Sequence, residues 1–198
     1  MRTLLTGFEP FGNYKENSSW AVAEKVAACG IEGVFATLLP VSFFSVATAL
    51  RKAVEVYRPN TIVMLGQSAG IDYIKLERVA INMMDASKTD NDGYIPDEEP
   101  ICPNGASAMF TNTNIKELRV AVEELGIPAK VSNSAGLYVC NRLYYEALQL
   151  CREIPGMKAL FVHVPLYEGQ QMVNVGQATM QLGDMTKAIQ TIIYKIEQ

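Results

Sequence analysis

The sequence predicts an α/β fold: an open, mostly parallel twisted sheet with helices on both faces, in a single domain over residues 1–198. Three observations predict it. Short strand-like segments alternate with segments of helical period, and most connections between them are short. Thr61 to Leu65 and Ala159 to Val164 are near-continuous apolar runs, the pattern of strands buried on both faces. No linker, internal repeat or low-complexity tract divides the chain.

Taken in order, residues 2–6 read as a first strand, and the Gly/Pro-rich stretch 7–13 reads as a turn. Ser18 or Ser19 is a candidate N-cap for a helix that carries Val22, Val26 and Cys29 on one face and stops at Gly30. Gly33 to Leu39 is a second strand, and Val46, Leu50, Val54 and Tyr57 mark a helix ended by Pro59. Thr61 to Leu65 is the third strand and meets the loop Gly66-Gln67-Ser68-Ala69-Gly70. Residues 72–84 alternate as a strand or hairpin, and residues 85–105 form a long polar stretch. A helix follows with Ile115, Leu118, Val122 and Leu125 on one face, then a strand from Ala129 to Ser132. A helix from about Tyr138 to Glu153, the strand ending at Pro165, and a helix carrying Met185, Ile189, Ile192 and Ile196 complete the order.

Composition narrows the function. Net charge is −4 and no Lys/Arg run occurs, so the concentrated basic footprint of a nucleic-acid binder is missing. No stretch approaches the 18 or more apolar residues of a membrane span. The N-terminal residues lack a signal-peptide pattern. The four cysteines, Cys29, Cys102, Cys140 and Cys151, contain no C-x-x-C, and one histidine is too few for a zinc site. No metal or other cofactor is expected. The thiols are expected to be free, in a reducing cytoplasm.

That single histidine, His163, lies near the end of the strand Ala159-Leu160-Phe161-Val162-His163-Val164. Its unperturbed pKa suits proton exchange near neutrality. A hydrogen-bonded core residue is the plainer alternative. In open α/β sheets, however, ligands sit beyond the carboxyl ends of the strands. His163, the 66–70 loop and the Ser132–Val139 loop all fall at such ends, which places three segments on one rim. Cys140 follows the small-residue loop Ser132-Asn133-Ser134-Ala135-Gly136 and falls in the first turn of a helix, where the macrodipole favours a thiolate. The alternative for Cys140 is a small buried hydrophobe, and position alone does not separate the two. Glu77 sits among apolar residues in Leu76-Glu77-Arg78-Val79-Ala80 and needs a partner. It is either the carboxylate that orients an imidazole or half of an ion pair with Arg78 or another base.

Four segments carry a family resemblance over essentially the whole chain: Gly7-Phe8-Glu9-Pro10-Phe11-Gly12, Glu77-Arg78-Val79-Ala80-Ile81-Asn82, Ser134-Ala135-Gly136-Leu137-Tyr138-Val139-Cys140-Asn141 and Phe161-Val162-His163-Val164-Pro165. In order and spacing they resemble the signature blocks of the pyroglutamyl peptidase I family of cysteine exopeptidases. The resemblance implies Cys140 as nucleophile, His163 as general base and later acid, and Glu77 as the orienting carboxylate. It also implies Phe8 and Phe11 in the substrate pocket, Gln67 presenting backbone N–H and C=O to a lactam ring, and Tyr138 and Val139 on the far wall. The implied substrates are peptides with N-terminal pyroglutamate, and the implied assembly is a homotetramer.

Two departures stand out. The family's Asp-Ala-Arg-Ile-Pro-Asp-Asn reads Asp85-Ala86-Ser87-Lys88-Thr89-Asp90-Asn91 here, so Ser87 replaces an arginine thought to act near the oxyanion. Lys88 does not reproduce a guanidinium fork. Asn17-Ser18-Ser19 stands where Asn-Pro-Ser is usual, a change expected to touch only helix entry. The Ser87 change keeps open a catalytically impaired small-molecule or peptide binder on the same fold. A phosphorylase-like relative, suggested by similar architecture, lacks a basic phosphate-binding cluster. Residues 88–99 match several EF-hand positions, but Lys88 at position one and Pro96 argue against calcium, and a flexible flap beside the pocket is expected instead.

Overall fold

The computed structural model describes residues 2–171 and 176–198. In chain order the elements are β1 (Thr3–Phe8), α1 (Ser18–Ala28), β2 (Val34–Leu39), α2 (Val46–Tyr57), β3 (Thr61–Gln67), β4 (Ile74–Glu77), β5 (Val79–Ile81) and β6 (Ala108–Phe110). Then come α3 (Ile115–Glu123), β7 (Ala129–Ser132), α4 (Val139–Glu153), β8 (Lys158–Val164), β9 (Leu166–Tyr167), β10 (Thr179–Met180) and α5 (Leu182–Ile196). The main sheet has six strands in the order β2-β1-β3-β8-β4-β7, while β5 pairs with β6 and β9 with β10.

Period-two alternation sends the central strands' side chains to two helical layers. Leu4, Phe8, Ile62, Met64 and Phe161 pack against α2 and α4 through Leu50, Val54, Leu143 and Tyr144. Leu5, Val63, Leu65, Leu160 and Val162 pack against Val22 and Val26 of α1, Leu118 of α3 and Ile189 of α5. Both faces are covered, which is why these strands read as apolar runs rather than as alternating ones.

Several expectations are corrected. β1 and β3 each run past the glycine read as a stop, because each glycine is a point of close approach rather than a turn. A Cβ on Gly7 would lie 2.6 Å from the Trp20 Cα, and one on Gly66 would lie 2.8 Å from the Phe161 ring. The N-cap of α1 is Asn17, whose side chain accepts from the Ser19 N–H, not Ser18 or Ser19. Leu125 lies beyond the end of α3 and is exposed.

Residues 72–84 are not a hairpin. β4 joins the main sheet and β5 pairs with β6, a short strand absent from the sequence reading. The sheet is mostly parallel, but β4 runs against β8, and β7 follows β4. The carboxyl end of β7 therefore points opposite to those of β3 and β8. Residues 133–138 carry the chain back to the rim where α4 begins.

Candidate active site

The site grows from a break in the sheet. The β1–β3 ladder stops at Thr6–Met64, whereas β3 continues along β8 as far as Gln67–Val164. The N-terminus of α1 wedges into the gap. The Phe8 N–H donates to Ser19 Oγ at 2.9 Å, and the Ser18 N–H donates to Gln67 Oε1 at 2.8 Å. Proline at position 18 would have no N–H for the second bond, so the Ser18 departure reaches beyond helix entry and ties α1 to β3.

A cavity of about 160 Å³ opens at this notch. Phe8, Phe11, Gln67, Tyr138, Val139, Cys140 and His163 all line it. Sequence reasoning missed Asn17, Val41 and Ala135, which also line it. Asn17 had a legible signal, because a helix-capping Asn beside the Gly/Pro turn must sit at this rim. Val41 had none.

Glu77 stands behind the imidazole. It is fully buried, and its Oε1 lies 2.8 Å from His163 Nδ1. The β4–β8 register explains the contact: Lys75 is directly opposite His163 and Glu77 opposite Phe161, so the side chains of all four share one face. Lys75 Nζ lies 3.2 Å from the same Glu77 Oε1. Arg78, the first alternative partner for Glu77, instead donates to Asn133 Oδ1 at 2.8 Å. Among the described residues Glu77 Oε2 has no partner. The Phe161 and His163 rings lie 4.8 Å apart, under Gly66.

Cys140 is the second residue of α4 and is half-buried. The neighbouring Asn141 side chain fixes this turn. It accepts from the Ile81 N–H at 3.0 Å and donates to the carbonyls of Ile81 and Met83 at 2.8 and 2.9 Å. The helix position was expected to lower the thiol pKa. The reverse holds: burial first, then the Glu77 charge, push it up to about 12, against smaller lowering by Lys75 and a backbone hydrogen bond. Desolvation of a thiolate outweighs the terminal dipole here.

Outside the cavity, sharing Phe11 and Tyr138 with it, lies an open cleft of about 800 Å³ between Gly12–Tyr14 and Asp85–Thr89. Ser87 and Lys88 are on this outer rim and exposed. Residues 88–99, expected as a flexible flap beside the pocket, are tied down along with the rest of the 85–105 stretch. Buried Asp90 accepts from the N–H groups of Phe43, Asp92 and Tyr94, and Tyr138 donates its hydroxyl to the Thr89 carbonyl at 2.8 Å. Met84 and Glu99 exchange backbone bonds, and the Asn82 side chain clasps Cys102 from both sides.

A family model described as pyroglutamyl peptidase matches residues 1–198. Pyrrolidone-carboxylate peptidase of Thermococcus kodakarensis is 39% identical over 98% of this chain and 94% of its own length. That of Clavibacter michiganensis is 36% identical over 96% and 90%. Among solved structures, pyroglutamyl peptidase I of Bacillus amyloliquefaciens superposes with a TM-score of 0.93 at 32% identity, covering 98% of this chain and 96% of that one. A variant of pyrrolidone carboxyl peptidase from Pyrococcus furiosus gives 0.92 at 33% identity, covering 100% and 98%. Relatives named as peptidases do not favour the non-catalytic binder. With matches that span the whole fold and the cavity within it, the chain belongs to the pyroglutamyl peptidase family.

Proposed function

We propose that the chain is a cysteine exopeptidase that hydrolyses the amide bond following an N-terminal pyroglutamyl residue. The observation that carries this reading is one small cavity lined by both Cys140 and His163, with the Glu77 carboxylate 2.8 Å behind the imidazole. Its volume, about 160 Å³, equals that of roughly five liquid waters. This suits a flat, uncharged five-membered lactam. An open-chain glutamate would bring charges that walls of Phe8, Phe11 and Val139 do not solvate. Where β3 has parted from β1, the backbone of Gln67 is the natural N–H and C=O for the ring amide, and Tyr138 and Val139 close the far wall.

The thiol is held protonated by its surroundings, so the nucleophile is made by proton transfer rather than stored. His163 takes the Cys140 proton at Nε2 while Glu77 holds Nδ1–H and stabilises the imidazolium. The sulfur attacks the pyroglutamyl carbonyl, and the N-terminal amides of α4 face the oxyanion. As the C–N bond breaks, His163 gives its proton to the leaving amine, and the acyl group remains as a thioester on Cys140. His163 then takes a proton from water, whose oxygen attacks the thioester. The C–S bond breaks, pyroglutamic acid leaves, and the proton returns to sulfur. The residues after the scissile bond lie in the outer cleft.

The test is release of a fluorophore from a pyroglutamyl amide, with a prolyl amide as control. Wild type should turn over only the first, and both Cys140→Ala and His163→Ala should lower kcat/KM by roughly 10³-fold or more while unfolding cooperatively. Absence of thiol-dependent hydrolysis in wild type would overturn the reading.

We also propose a homotetramer in the cytoplasm. Phe44 and Phe110, each about two-thirds exposed, offer apolar surface to a second copy, and all four cysteines are free thiols. Among the described residues, no helix is long and apolar enough to cross a membrane. Light scattering on the eluting protein reads the assembly directly.

A further inference from the structure

We infer that Lys75 is a positioning residue of this site: its ammonium shares Glu77 Oε1 with His163 and balances the carboxylate's charge beside the Cys140 thiol. The inference rests on the assignment of Cys140 as nucleophile.

The geometry is specific. In the antiparallel β4–β8 pair Lys75 is directly opposite His163, on the same face of the sheet, with Nζ 3.2 Å from the oxygen that His163 Nδ1 contacts at 2.8 Å. Glu77 has no exposed surface, and its second oxygen has no partner among the described residues. A buried carboxylate facing only a neutral imidazole would be left uncompensated, which is costly.

Counting charges shows what Lys75 adds. Thiol, neutral imidazole, carboxylate and ammonium sum to zero. After the proton moves, thiolate, imidazolium, carboxylate and ammonium again sum to zero. Without Lys75 the same cluster carries a net negative charge throughout, and a thiolate must form next to it.

The charged and titratable groups around the thiol are Glu77 and Lys75 from β4, His163 from β8 and Tyr138 at the start of its own helix. Glu77 opposes ionisation of Cys140 and Lys75 favours it. The plainer alternative is an ordinary ion pair at the surface, since Lys75 is about one-quarter exposed, and such pairs do little. A surface pair would leave the thiol's behaviour unchanged.

The experiment is carboxamidomethylation of Cys140 by iodoacetamide across pH 7 to 10, read by mass spectrometry of the Cys140 peptide so that the other thiols do not interfere. In Lys75→Met the rate at pH 8 should fall roughly tenfold, with the profile displaced to higher pH by about one unit. On the pyroglutamyl amide the loss should appear in kcat with KM little changed. Lys75→Arg, which keeps the charge, should restore most of both. Lys75→Gln carries the same expectation as Lys75→Met and decides the matter if that variant does not fold. Superimposable profiles for wild type and Lys75→Met, or a Lys75→Arg variant as slow as Lys75→Met, would overturn the inference. Wild type inactive on the pyroglutamyl amide would instead overturn the peptidase reading itself.

Discussion

At the scale of single residues, the chemistry here depends on what surrounds each group more than on which group it is. Cys140 has the helix-terminal place of an activated thiol, yet burial and Glu77 hold its pKa near 12. The linkage has a definite sign. A thiol whose folded pKa exceeds its unfolded value keeps its proton when folded and loses it when unfolded. Stability is therefore complete below the ordinary thiol range and falls as pH rises from there toward about 12. Urea midpoints at pH 8 and pH 10 should drop less for Cys140→Ser than for wild type. Equal drops would mean the thiol is not buried in this way.

In the sequence, position and residue type made Cys140, His163 and Glu77 candidates but left a plainer alternative for each, and the family resemblance is what joined them. The structure brings Cys140 and His163 to one cavity with Glu77 behind the imidazole. Lys75 was not legible. A lysine two residues before a glutamate is unremarkable until a facing strand brings an imidazole to the same oxygen.

At the scale of elements, most of the helices and strands followed from periodicity, and the misreadings have physical causes. Gly7 and Gly66 sit inside strands because a neighbour needs the missing Cβ's space. Gly66→Ala should push aside the Phe161 and His163 rings, whose atoms would lie 2.8 and 3.0 Å from the new Cβ. Thermal unfolding should remain cooperative while kcat on a pyroglutamyl amide falls at least tenfold, because the proposed proton transfer through His163 is lost when the imidazole is displaced by a fraction of an ångström.

The direction of β4 was missed although its sign was present. Residues 68–73 hold no helix, and a connection that short does not make a parallel crossover. β7 pairs parallel to β4, so its direction followed from that of β4.

For the whole molecule, the polar stretch 85–105 shows how little composition says about order. Its turn chemistry reads as a loop, but its restraint comes from distant backbone groups. Phe43, in the segment before α2, donates to Asp90 across 47 residues of sequence. Asp90→Ala leaves three N–H groups without their acceptor and should lower stability by roughly 2–4 kcal/mol. It should also raise KM for a pyroglutamyl peptide more than for a pyroglutamyl amide, because the freed segment borders the outer cleft and not the cavity. Equal changes in both would separate Asp90 from substrate contact.

The parting of β1 and β3 after Thr6 and Met64 also bears on how such a protein can evolve. The slot is cut into the interior of the sheet, so altering which ring it accepts means rebuilding paired backbone. The outer rim at Ser87–Thr89 is surface chain and changes at little cost. Descendants of this sequence should therefore diverge in the peptides they trim long before they diverge in the residue they remove.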